Sequence, residues 1–215
     1  MIIGLCGFIG SGKDTVADFL VNNNFQKESF ADTLKDTVSS IFSWDRELLE
    51  GHSLEAREWR EQIDTWWADR LDMPTLTPRW VLQYVGTDVF RNNFHNDIWV
   101  ASLEKKLFDN QDKNIVISDC RFPNEVSAIQ KAGGKVAWVK RGELPDWTDI
   151  AIDACNGHSF AIEEMHNLGV HPSEWAWLTS DFDSELFNES TLENLYKQVT
   201  AKMISDQELD LHVSI

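Results

Sequence analysis

The chain has 215 residues, enough to bury a substantial core as one domain or as one domain with a small insertion. Its 36 acidic against 19 basic residues leave a formal net charge of −17, which argues against a general nucleic-acid or anionic-membrane surface. Cys6, Cys120 and Cys155 stand singly and no run approaches a membrane span, so neither a disulfide scaffold, a thiolate metal site nor a membrane protein is expected. This composition predicts a soluble intracellular protein that must concentrate its few cations wherever it handles phosphate.

The first twenty residues, MIIGLCGFIGSGKDTVADFL, organise the rest. Ile2, Ile3, Leu5 and Cys6 predict a short strand buried on both faces, and Val16, Ala17 and Leu20 recur at helical spacing. Between them lie Gly7, Gly10, Ser11 and Gly12, followed by Lys13. A strand, a glycine-rich turn and a helix start form a nest of backbone N–H groups, and a nest with a helix dipole and a lysine attracts polyphosphate. The spacing G-x-x-x-x-G-K fits from Gly7 to Lys13, and its strand and helix context is present. The next residue is Asp14, where a hydroxyl is usual, and the hydroxyl comes one place later at Thr15.

Residues 22–24 end this first helix, and 25–30 supply a second strand. The segment 31–44 predicts a helix with Leu34, Val38, Ile41 and Phe42 on one face, Asp32 as its cap and Lys35 pointing to the carboxyl ends of the strands. Residues 46–72 turn acidic and aromatic, with Arg57, Arg60, Arg70, Trp59, Trp66 and Trp67, and predict helix beside the core. Arg57 and Arg60 share a face and either converge on one anion or pair with Glu55, Glu58 and Glu61; Trp66 and Trp67 are expected to pack. Thr77-Pro78 starts a helix whose apolar set is Val81, Leu82, Val85, Val89 and Phe90. Arg79 and Gln83, four apart, present a guanidinium for phosphate and an amide for a base.

After a helix over 98–108, residues 115–119 predict a buried strand ending in Asp119, a carboxylate placed to organise magnesium. Arg121 follows within reach of an acceptor phosphate, Pro123 opens a helix that Gly133-Gly134 ends, and 135–139 form the next strand. From 141 to 180 alternation disappears, which predicts a lid or peripheral insertion; the spacing of His158, His166 and His171 lacks a zinc pattern. A last strand is expected within 181–187, then a helix over 191–204, and an acidic tail after Ser205 that is solvated or used in dimer contacts. The order predicts an α/β phosphate-loop fold, a parallel five-stranded sheet with helices on both faces and a mainly helical substrate and lid region.

Across nearly its full length the chain resembles the deoxynucleoside monophosphate kinases of tailed bacteriophages, within the nucleoside monophosphate kinase-like group of phosphate-loop proteins. The resemblance lies in GFIGSGKDT (7–15), FADTLKD (30–36), RWVLQYVGTDVFRN (79–92), SDCRFPNE (118–125), KVAWVKR (135–141), HPSEW (171–175) and NESTLENL (188–195). It implies transfer of the γ-phosphate of ATP to a nucleoside monophosphate in a single domain over 1–215, with a helical acceptor region over 45–98. On that resemblance Gly7, Gly10, Ser11, Gly12, Lys13, Asp14 and Thr15 cradle the donor phosphates, Thr15 and Asp119 lie near magnesium, and Asn188 flanks the adenine. Lys35, Arg79, Gln83 and Arg121 meet the acceptor, and Arg141 is a lid arginine that stabilises transferring charge. HPSEW takes a lid or hinge position, and its chemical role is not legible. The resemblance further implies a homodimer in the cytoplasm of an infected bacterial host. A dephospho-coenzyme A kinase or a non-catalytic phosphate-loop regulator are the rival readings, and neither base nor sugar preference is legible.

Overall fold

In the computed structural model, which describes residues 1–110 and 112–204, five strands lie parallel in the order β2-β3-β1-β4-β5. They are β1 Ile2–Cys6, β2 Phe25–Glu28, β3 Asn114–Ile117, β4 Lys135–Lys140 and β5 Ser184–Phe187. The central position of β1 follows from its composition, because only a strand apolar on both sides can sit in the middle of a covered sheet. Ile3 and Leu5 face one side, where they pack with Val16, Ala17 and Leu20 of α1 (Lys13–Val21) and Leu195, Val199 and Met203 of α11 (Leu192–Met203). Gly4 faces the other side, against α8 (Pro123–Lys131). A Cβ there would stand 2.7 Å from Ile129 Cδ1, 3.1 Å from Val136 Cγ2 and 3.2 Å from Cys120 Sγ, so glycine lets α8 close onto the sheet. The predicted α/β class, the parallel five-stranded sheet and the helices on both faces are therefore all present.

The chain divides into two compact units: Met1–Ser29 with the described residues from Lys106 onward, and Phe30–Lys105. The first unit holds the sheet, with α9 (Thr148–Cys155) and α10 (Ser159–Asn167) packed on each other after β4, then a 3₁₀ turn at Pro172–Glu174. Strand β3 stops at Ile117, two residues before the expected acidic end, and the acidic tail expected after Ser205 lies outside the described residues. Among the described residues no cluster of histidine, cysteine and carboxylate side chains has metal-site geometry, and no helix is long and apolar enough to cross a membrane.

The second unit is helical: α2 (Asp32–Phe42), α3 (Arg46–Glu50), α4 (Leu54–Glu61), α5 (Thr65–Leu71), α6 (Pro78–Gln83) and most of α7 (Ile98–Phe108). Asp45, Ser53, Asp64 and Thr77 each accept a backbone N–H at the start of α3, α4, α5 and α6, so the acidic stretch is cut into short helices by its own caps. Asp32 is not a cap. Ala31 takes that position without a side-chain bond, and Asp32 lies in the first turn, paired with Arg46. Ile41 is 58% exposed, because α2 buries only the narrower face carrying Leu34 and Val38. Trp67 packs on Phe42 and donates to the Phe42 carbonyl at 3.0 Å, whereas Trp66 stays exposed.

Beyond Gln83 the helix does not continue as an α-helix but as a nine-residue π-helix, Tyr84–Asn92. This wider winding breaks the spacing on which the apolar set 81–90 was read, and Val89 is exposed. Gly86 is buried in it; a Cβ would meet Leu34 Cδ2 at 2.7 Å, and its carbonyl accepts from Trp99 Nε1 at 2.8 Å.

Candidate active site

Residues 7–12 turn the chain from β1 into α1 through backbone that only glycine tolerates at two crowded points. Gly7 has φ 149°, and a Cβ on it would lie 2.5 Å from the Val139 carbonyl and 2.7 Å from Ser11 Oγ. Gly12 has φ 105°, and a Cβ there would fall 2.5 Å from Asn188 Nδ2. Asn188 ties the loop across the sheet: its Nδ2 donates to the Ser11 carbonyl at 2.9 Å and its backbone N–H to the Lys140 carbonyl at 2.8 Å. Arg141, directly after β4, reaches the Gly10 carbonyl with Nη1 at 3.5 Å.

Lys13 curls over this loop and donates from Nζ to the Gly7 carbonyl at 2.8 Å and the Phe8 carbonyl at 3.0 Å. Burial, and after it the nearby Arg121 charge, hold the Lys13 ammonium below the usual lysine range. Two cations gathered in a part-buried place favour an anion as third member. Asp14 turns outward to Lys27 at 3.1 Å, so only its backbone is offered to the loop. Thr15 is half-buried in the first turn of α1, and Ser11 is buried with its hydroxyl unbonded among the described residues.

The loop after β3 brings the second group. Asp119 Oδ2 accepts from Ser29 Oγ at 2.6 Å. The buried Glu125 carboxylate, in the first turn of α8, accepts the backbone N–H of Arg121 at 2.7 Å and of Phe122 at 3.2 Å, which fixes the path of the loop. Arg121 Nη1 donates to Glu174 Oε1 at 3.2 Å and to the Ser173 carbonyl at 3.4 Å. Sequence spacing could not pair Arg121 with HPSEW. It does carry the signal of the turn itself, a histidine before Pro172, whose Nδ1 accepts the Ser173 N–H at 3.2 Å.

Lys35, Arg79 and Gln83 lie in the helical unit. Lys35 Nζ donates to Glu50 Oε2 at 2.6 Å, and Arg46 binds the same carboxylate as well as Asp36 at 2.6 Å. Burial pushes the Glu50 carboxyl up, but the hydrogen bonds and charges of Lys35 and Arg46 outweigh it and hold it below the usual range. Arg79 Nη1 lies 3.2 Å from Glu61 Oε1, and Gln83 closes α6 one turn later, half-buried. Arg57 and Arg60 donate to backbone carbonyls, those of Gly51 at 3.0 Å and Leu49 at 3.4 Å.

Comparison with known proteins adds a family to this chemistry. Residues 60–154 match the model of the family described as deoxynucleotide monophosphate kinase. A relative from Acanthamoeba polyphaga mimivirus, named for deoxynucleotide monophosphate kinase, is 32% identical over 214 residues, covering 93% of this chain and 94% of that protein. The deoxynucleoside-5'-monophosphate kinase of Escherichia phage T5 is 28% identical over 180 residues, covering 61% of this chain and 72% of that protein. A solved dephospho-CoA kinase from Campylobacter jejuni covers 95% of this chain and 98% of its own at 14% identity, with a TM-score of 0.40, a distance at which the likeness carries no argument. Because the mimivirus relative matches over almost the whole of both chains, the chain belongs to the deoxynucleotide monophosphate kinase family.

Proposed function

We propose that the protein transfers the γ-phosphate of ATP to a deoxynucleoside monophosphate, giving ADP and the diphosphate. The observation that carries this reading is Lys13 bonded across a glycine nest and within electrostatic reach of Arg121, two cations brought to bear on each other in a strongly acidic chain. An oxygen of the acceptor phosphate attacks the γ-phosphorus while the bond to the β–γ bridging oxygen breaks, and ADP leaves with that electron pair. No protein nucleophile is needed, so the side chains work by alignment and charge neutralisation. The nest 7–15 holds the donor phosphates, Lys13 neutralises β and γ oxygens, and Arg121 and Arg141 offset charge on the transferring group. Lys35, together with Arg79 and Gln83 of the acceptor region 45–98, takes the monophosphate and its base, while residues 141–180 form the lid. Asn188 shapes the nest beside the adenine.

The hydroxyl of Thr15 and the carboxylate of Asp119 are hard oxygen donors of the kind magnesium prefers, and the buried Ser11 hydroxyl in the nest has no hydrogen-bond partner among the described residues. When bound there, magnesium supplies further charge neutralisation on the β and γ oxygens.

The test is ADP production with ATP and each common deoxynucleoside and ribonucleoside monophosphate, with dephospho-coenzyme A as a competitor acceptor. A deoxynucleoside monophosphate is expected to drive ADP formation. ADP release independent of any monophosphate, or driven by dephospho-coenzyme A alone, would overturn the reading. We also propose a homodimer, working in the cytoplasm of an infected bacterial host, from the resemblance to phage kinases and the ten tryptophans. Light scattering at micromolar concentration should then give twice the 24.7 kDa of the chain, and a species of the single mass removes the dimer.

A further inference from the structure

We propose that Glu174 is a positioning residue for phosphoryl transfer, and that the HPSEW segment serves to hold the Arg121 guanidinium beside Lys13. The inference rests on the reading above that Arg121 assists transfer, and adds how Arg121 is kept in place. Glu125 fixes only the Arg121 backbone, which leaves a long side chain free to turn about its own bonds. Glu174 Oε1 and the Ser173 carbonyl both take Nη1, and among the described residues the other N–H groups of that guanidinium have no protein acceptor. One corner is thus anchored while the rest of the planar fork is left for a phosphate. Side-chain exposure fits this division, since Glu174 is 17% exposed and Arg121 43%.

The anchor is itself rigid and tied to the phosphate loop. Pro172 opens the 3₁₀ turn, His171 Nδ1 accepts the Ser173 N–H, and the Glu174 N–H donates to the His171 carbonyl at 2.9 Å. The Glu174 carbonyl accepts from Trp177 Nε1 at 3.1 Å, and the buried Trp177 ring meets the edge of Phe8, a residue of the nest, at 5.0 Å between centroids. Glu174 also acts electrostatically on Lys13, opposing the lowering of its pKa. A carboxylate held this firmly beside two cations balances one of them without occupying the place of the substrate.

The experiment is a double-mutant cycle on kcat with Glu174→Gln and Arg121→Ala, the residual transfer of the weaker variants followed with radiolabelled ATP. Glu174→Gln is expected to lower kcat about tenfold in the parent and less than twofold in the Arg121→Ala background, with the KM for ATP little changed. Glu174→Asp, which keeps the charge but shortens the reach, should fall between parent and Glu174→Gln. Equal losses in both backgrounds, accompanied by a lower unfolding midpoint, would make Glu174 merely structural and overturn the proposal while leaving Arg121 in its role. Parental kcat in Glu174→Gln would overturn it too. Parental kcat in Arg121→Ala would instead overturn the role of Arg121, and the proposal with it.

Discussion

Replacing Lys13 by alanine lowers the maximal rate of phosphoryl transfer by about 10²–10³-fold, on the scale of losing one oriented charge or donor at a transition state, while the fold persists. Among the described residues the side chain hydrogen-bonds only the Gly7 and Phe8 carbonyls, and the helix behind it is anchored by Val16, Ala17 and Leu20, none of which the substitution touches. Stability should not suffer, and its pH dependence gives an independent check. The folded protein holds the Lys13 pKa below the unfolded value of 10.5, chiefly by burial. Between the folded and unfolded values the unfolded chain binds more protons, so parental stability rises with pH through that window, and the alanine variant should lack this rise. A parental rate in Lys13→Ala with saturating magnesium ATP and monophosphate would displace the donor site from the nest.

The arginine-to-lysine variants at positions 79 and 121 separate acceptor from donor. Each keeps its positive charge and loses the planar fork, so a site that merely needs charge tolerates the change and one that grips a phosphate by two parallel bonds does not. Titrating each substrate separately, ATP affinity should stay within about threefold in both variants, while acceptor affinity or turnover falls about tenfold or more. Arg121 shares a unit with the nest and Arg79 belongs to the helical unit, so Arg121→Lys should lower mainly kcat and Arg79→Lys should raise mainly the acceptor KM. Arginines that were only structural would instead lower the melting temperature and weaken both substrates together. Unchanged monophosphate binding and unchanged turnover in both variants would remove both arginines from the acceptor role.

Much of this architecture is legible from local spacing. Ile2–Cys6, the nest, α1, α7 and the glycine stop after α8 are each written within a dozen residues, because strand burial, turn chemistry and helix periodicity are short-range properties. What spacing misses falls into two kinds. The π-helix at Tyr84–Asn92 carries an α-like apolar pattern, and its wider winding coincides with the close approach of Gly86 to Leu34 and with the Trp99 bond, contacts no local rule contains. The partners of charged groups are equally silent. Lys35 finds Glu50, Asp14 finds Lys27 and Arg121 finds Glu174, and in each pair the sequence offers several carboxylates or amines of equal merit. The fold thus emerged from pattern, whereas the wiring of the site depended on which loops the sheet brings together.

The bond from Asn188 to the Ser11 carbonyl joins residues separated by 177 positions, and β1 pairs only with β3 and β4. A chain leaving the ribosome therefore exposes its glycine loop long before anything can complete it. At about 5–20 residues per second, on the order of 10–30 s pass between the appearance of Ser11 and that of Asn188. Meanwhile Phe30–Lys105, a contiguous stretch of short helices, has its own contacts within reach and can fold first. The apolar strand Ile2–Cys6 must wait, an unpaired sticky ribbon until the strands that flank it have been made. Completion of the glycine loop thus arrives as one of the last events of folding, and until then the strand before it is the segment most in need of protection from aggregation.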